Sequence, residues 1–116
     1  MIKGIYACWI YVSDLELSIK FYQEIGFNLK LIEGDWAEFE FNGVSFALLK
    51  RPIEKGKVVP IKTRIMFEVD DIFSIYNILS EKSVKMIGGV KKESYGNLLT
   101  FEDIDGHWLE FFEKKV

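Results

Sequence analysis

The sequence predicts an α+β fold made of two consecutive βαβββ modules, and three observations predict it. Val12-Ser13-Asp14-Leu15 returns 57 positions later as Val69-Asp70-Asp71-Ile72, each quartet closing an apolar alternating run and opening a helical stripe. Two hairpin signals, Asn42-Gly43 and Asp105-Gly106, lie 63 positions apart, each after the helix of its half. Between the halves, Arg51 to Lys62 holds both prolines of the chain, Pro52 and Pro60, and reads as the one linker. Self-similarity at a fixed period is the signature of a repeated structural unit. Module 1 is therefore residues 1–50, the linker 51–62 and module 2 63–116, together one domain.

In module 1, Ile2 to Val12 reads as a strand with Tyr6, Cys8, Ile10 and Val12 on one face and Ile5, Ala7, Trp9 and Tyr11 on the other. Both faces are apolar, which predicts cover on both sides. Ser13-Asp-Leu-Glu16 has capping-box spacing, with the Ser13 hydroxyl accepting from the amide of Glu16. A helix runs from there to about Glu24 on a stripe of Leu15, Ile19 and Tyr22, and Gly26 stops it. Three strands follow: Asn28–Glu33, ended by Gly34-Asp35; Trp36–Phe41, ended by Asn42-Gly43; and Val44–Lys50. Asn-Gly suits a type I′ hairpin turn, because both central residues need φ > 0.

Module 2 repeats the pattern. Ile65, Phe67 and Val69 alternate on one face, Asp70 caps, and Ile72, Ile75, Tyr76 and Leu79 form an i, i+3, i+4, i+7 stripe. Strands are expected near Val84–Ile87, Gly96–Phe101 and Trp108–Lys114, with Asp105-Gly106 as a second two-residue turn. One carboxylate, Glu110, interrupts the last apolar run on the side of Trp108 and Phe112. An acid on such a surface needs a partner, a metal, a proton or water.

Bulk properties exclude several classes. Hydrophobic residues make up 49% of the 116, so the chain is not disordered. A net charge of -3 argues against a nucleic-acid partner, and no apolar run nears the roughly 18 residues of a membrane span. No signal peptide is read at the start. One Cys forms no internal disulfide, which fits a cytoplasmic location, and one Cys with one His rules out zinc ribbons and fingers.

The opening Tyr-Val-Ser-Asp-Leu-Glu-x-Ser, Phe21-Tyr22 on its helix, the closing Phe-x-Asp-x-Asp-Gly-x-x-x-Glu and the repeat together resemble the vicinal oxygen chelate superfamily of glyoxalase, bleomycin-resistance and extradiol dioxygenase proteins. The resemblance covers nearly the whole chain. It implies a partly open mixed β-barrel around a cavity, with helices outside, and a homodimer. In the metalloenzymes of that superfamily, one position on the first and one on the last strand of each module hold a divalent metal. Those positions fall here on Ala7, Ala47, Arg64 and Glu110, of which only Glu110 matches. Alanine has no donor atom and a guanidinium has no acceptor, so no metal and no other cofactor is expected. Arg64 is expected to meet Glu110 directly or through one water, in a pair able to bond bidentately.

The candidate ligand-binding residues are Trp9, Trp36, Arg64, Met66, Trp108 and Glu110. Strand parity puts Trp9 with Ala7, Trp108 with Glu110, and Trp36 with Glu38 and Glu40; aromatic walls suit flat or cationic ligands. Three readings stay open for Glu110: a structural ion pair, a polar anchor for ligand, and a catalytic base. Cys8 is expected buried and inert, and His107 a solvated turn residue. The protein is thus expected to bind a small organic ligand without a metal. An enzyme of lyase or isomerase type using Glu110 as base or metal ligand, and a scaffold whose cavity is filled by its own side chains, are the alternatives.

Overall fold

The computed structural model describes residues 1, 3–52 and 64–115. Its elements run β1 (Ala7–Val12), α1 (Leu15–Glu24), β2 (Leu29–Glu33), β3 (Trp36–Phe41), β4 (Val44–Lys50), β5 (Met66–Glu68), α2 (Ile72–Glu81), β6 (Met86–Glu93), β7 (Gly96–Glu102) and β8 (Trp108–Lys114). This is βαβββ twice. The ladders form two separate four-stranded mixed sheets, ordered β1-β4-β3-β2 and β5-β8-β7-β6, rather than one closed ring. In each sheet the first and last strands of the module pair parallel and the other pairs are antiparallel. The chain divides into two compact units, Met1–Lys55 and Gly56–Val116. Most of the expected linker 51–62 lies outside the described residues.

In unit 1, Leu15, Ile19 and Tyr22 of α1 are buried together with Ile10, Val12, Ala37, Phe39, Phe46 and Leu48 of the sheet. Tyr22 is the hub, with ring centroids 5.0 Å from Phe27, 5.3 Å from Phe46 and 5.8 Å from Phe39. In unit 2, Ile72 and Leu79 of α2 are buried with Phe67, Leu99, Phe101, Leu109 and Phe111. Phe101 stacks on Phe111 at 5.0 Å. Only the two ends of the expected α2 stripe are fully buried: Ile75 is half-buried and Tyr76 exposed.

The repeat extends to the helix ends. Gly26 and Ser83, 57 positions apart, both have positive φ, and the amides of Phe27 and Val84 then donate to Tyr22 and Leu79 carbonyls at 2.9 Å. These bonds satisfy carbonyls that a helix C-terminus leaves open. Asn42 and Gly43 have φ of 47° and 87°, the expected type I′ turn.

Several local expectations are corrected. The caps sit one residue later than read. Asp14 is extended and accepts from the amide of Leu17 at 3.0 Å, in place of the Ser13–Glu16 box. Asp71, not Asp70, caps α2, accepting from Phe73 and Ser74 amides and from the Ser74 hydroxyl. A carboxylate at this place answers both the open amides and the positive end of the helix dipole. The Asp105-Gly106 loop is not a two-residue type I′ turn, because Asp105 lacks positive φ. Instead Asp103 accepts from the amides of Asp105 and His107, at 3.0 and 2.8 Å, and folds a longer loop around its carboxylate. His107 is consequently half-buried rather than solvated. Cys8 is exposed, not buried. It shares the face of Ile10 and Val12, but β1 is the edge strand of its sheet and burial fades along it from Val12 towards Cys8.

The cap register makes a prediction. Asp71→Ala lowers the urea denaturation midpoint, while Asp70→Ala leaves it close to that of the wild type. Equal losses contradict the assignment.

Candidate functional site

Because successive side chains of a strand alternate, each sheet has a face under its helix and a face turned from it. The candidate residues are all on the second kind. In unit 1 that face carries Ala7, Trp9 and Tyr11 of β1, Ser45, Ala47 and Leu49 of β4, and Trp36, Glu38 and Glu40 of β3, with Trp9 and Glu38 both paired to Ala47. Glu38 is only 4% exposed. Its Oε1 accepts from Trp36 Nε1 at 2.9 Å and from the Tyr6 hydroxyl at 3.2 Å, and its Oε2 accepts from the Ser45 hydroxyl at 3.1 Å. The Lys30 ammonium stands 3.8 Å from Oε2. The Trp36 bond is the largest influence on the Glu38 carboxyl and lowers its pKa from the ordinary value; burial opposes it, and Ser45, Tyr6 and Lys30 add to the lowering. Such a carboxylate is satisfied as an anion.

Around this hub lie the aromatic rings. Trp9, 46% exposed, is 6.3 Å from Trp36 at a tilt of 59° and meets Tyr11 edge-on at 5.1 Å. Arg51 donates to the Tyr11 hydroxyl at 2.9 Å and stands over its ring at 4.8 Å.

In unit 2 the corresponding face carries Met66, Trp108, Glu110 and Thr100, with Glu110 paired to Met66 on one side and Thr100 on the other. Arg64 Nη1 is 3.8 Å from Glu110 Oε2, and the Thr100 hydroxyl is 3.5 Å from the same oxygen. The guanidinium lies over the Trp108 ring at 5.2 Å, while Trp108 Nε1 donates to Glu102 at 3.0 Å. The direct Arg64–Glu110 contact is present, as one long ion pair and not a bidentate bond. Arg64 precedes Met66, the ladder partner of Glu110, by two residues, so it approaches diagonally and rests on Trp108. Met66 and Trp108 stay 49% and 41% exposed.

The chain matches the model of the Glyoxalase/Bleomycin resistance protein/Dioxygenase superfamily over residues 4–111. It belongs to that superfamily. An uncharacterized protein of Bacillus subtilis (strain 168), YetH, is 30% identical over 115 residues, covering 92% of this chain and 95% of its own. The metallothiol transferase FosB of Staphylococcus epidermidis is 32% identical over 115 residues, covering 95% of this chain and 83% of its own. Among solved structures, the antibiotic binding protein TnmS3 from Streptomyces sp. CB03234 superposes with a TM-score of 0.77 at 22% identity, covering 98% of each chain.

The metal of the superfamily's metalloenzymes does not fit these residues. Ala7 and Ala47 bring methyl groups to the face of unit 1, and Arg64 brings a permanent cation to that of unit 2. Zinc asks for three or four N, O or S ligands, and only Glu110 of the four positions supplies one. Among the described residues no group of three or more His, Cys, Asp or Glu side chains is placed to hold a metal ion.

Sequence reasoning missed Glu38 and Tyr6. Parity placed Glu38 beside Trp36, and an acid in an apolar strand was the very signal that drew attention to Glu110. The repeat puts the two acids on matching rungs but opposite strands: Glu38 faces Ala47 across β3 and β4, and Thr100 faces Glu110 across β7 and β8. A cleft of about 510 Å³, lined by Asp70, Glu93, Asn97 and Glu113 among others, contains none of the candidate residues. Its Glu113 is taken up by the Ile72 amide and the Asn97 amide group.

Glu38 gives a pH prediction. A carboxyl whose pKa is lowered by folding stabilises the fold above the unfolded value, and that contribution fades as pH falls through the folded value. Glu38→Ala therefore costs about 1–3 kcal/mol at neutral pH by stranding its donors, and the gap to the wild type narrows in acid. Urea titrations at neutral and acid pH measure it; a gap that widens in acid contradicts the assignment.

Proposed function

We propose that the protein is a metal-independent small-molecule-binding member of the superfamily, taking an aromatic or charged organic ligand against its helix-free sheet faces. The observation that carries this reading is the exposed aromatic surface on those faces, with one indole fixed from behind. Glu38 holds the Trp36 N–H, so the ring is oriented before any ligand arrives, and Trp9 stands tilted beside it with nearly half its surface open. Large rigid rings give contact area at low entropic cost. Trp9 and Trp36 supply it in unit 1; Arg64, Met66, Trp108 and Glu110 supply a mixed apolar and charged surface in unit 2. The same fold serves an antibiotic binding protein in Streptomyces, which agrees with a binding role.

An enzyme reading draws on the FosB relatives. Two features count against it. The ligand positions hold Ala7, Ala47 and Arg64, and the one carboxylate left, Glu110, is already met by Arg64 and Thr100.

The test is intrinsic tryptophan fluorescence against a panel of flat organic acids, amines and neutral compounds. At least one class quenches saturably, and Trp9→Ala weakens its binding about tenfold, equivalent to about 1.4 kcal/mol. No saturable quenching by any class, or binding indifferent to Trp9→Ala, overturns the reading.

A further inference from the structure

We infer that Arg64 is an oxyanion receptor, binding a carboxylate or phosphate group of the ligand, and that Glu110 is its resident counter-ion, which the ligand displaces. This rests on the binding reading above and names the ligand class of the unit 2 face.

Two other charged groups packed with aromatic rings on the helix-free faces are held by hydrogen bonds. Glu38 is buried and holds three donors at 2.9–3.2 Å. Arg51, also stacked on an aromatic ring, donates to the Tyr11 hydroxyl at 2.9 Å. Arg64 differs. A guanidinium has five N–H donors, yet among the described residues its contacts are the Trp108 ring and one Glu110 oxygen at 3.8 Å, beyond hydrogen-bond range. Its side chain is 40% exposed. A part-exposed ion pair at that distance contributes little to stability. A ligand oxyanion offers what Glu110 does not: two short parallel bonds in the plane of the fork.

The surroundings suit such a ligand. The guanidinium lies over the Trp108 ring, and Met66 and Trp108 offer exposed apolar surface for the organic body. The chemical consequence of arginine at a metal-ligand position follows. The site keeps a positive centre for an oxyanion, but one that neither activates water nor changes oxidation state.

The two roles have opposite signatures, which makes the proposal testable. Calorimetric titration of the full chain compares 2-naphthoate with 2-naphthamide, a neutral analogue of the same shape. Wild type prefers the carboxylate; Arg64→Gln weakens the carboxylate about tenfold or more and abolishes its preference over the amide, because hydrogen bonds between charged groups are the stronger ones. Glu110→Gln tightens the carboxylate several-fold by removing its competitor. Circular dichroism and urea midpoints confirm that both variants fold. Equal binding of acid and amide, or weaker acid binding in Glu110→Gln, overturns the receptor assignment while the binding reading stands. No binding of either compound overturns the assignment, and the reading itself is then judged by the Trp9→Ala panel.

Discussion

Each sheet is covered by one helix, on one face, and the rest of the structure follows from that constraint. In unit 1 the cover is an aromatic cluster centred on the fully buried Tyr22; in unit 2 it is Ile72 and Leu79 over the Phe101–Phe111 stack. Strand alternation then forces every second side chain onto the other face, and that is where the tryptophans, Glu38, Arg64 and Glu110 are found. Packing and function are thus divided by parity. Residues under the helices answer to volume, and residues opposite them are free to carry chemistry.

On the helix-free faces the two units solve the same problem differently. Each has one carboxylate on the same rung of the repeat. In unit 1 the acid is on β3 and is fully satisfied by an indole, two hydroxyls and an ammonium. In unit 2 it is on β8 and is met by a distant guanidinium and one threonine hydroxyl. The first arrangement orients an aromatic wall; the second leaves a cation with donors to spare. Neither provides the three or four ligands that a metal such as zinc requires.

Much of the fold was legible in the sequence because the repeat is strong. The bounds of β3, β4 and β8 and the Asn42-Gly43 turn follow directly from alternation and turn chemistry. Three of the local misreadings share one cause: carboxylates seeking amide donors. Asp14 and Asp71 took the caps from their neighbours, and Asp103 reshaped a loop that the Asp-Gly pair alone predicts as a tight hairpin. The Glu38 site was half legible. Parity puts it beside Trp36, but the Tyr6 hydroxyl comes from 32 residues away, and no periodicity predicts that. The Arg64–Glu110 contact was expected from the ligand positions alone; that the guanidinium would lie on Trp108, lengthening the ion pair, depends on side-chain conformation and is not written in spacing.

The central claim is that Arg64 occupies the place of a metal ligand and leaves Glu110 without the company a metal needs. Anomalous diffraction from crystals soaked in manganese or zinc tests it most directly. The account predicts no anomalous peak within the coordination distance of about 2.0–2.2 Å from Glu110, with Arg64 still beside the carboxylate. A peak bound by Glu110, with Arg64 turned away to admit it, would contradict the account.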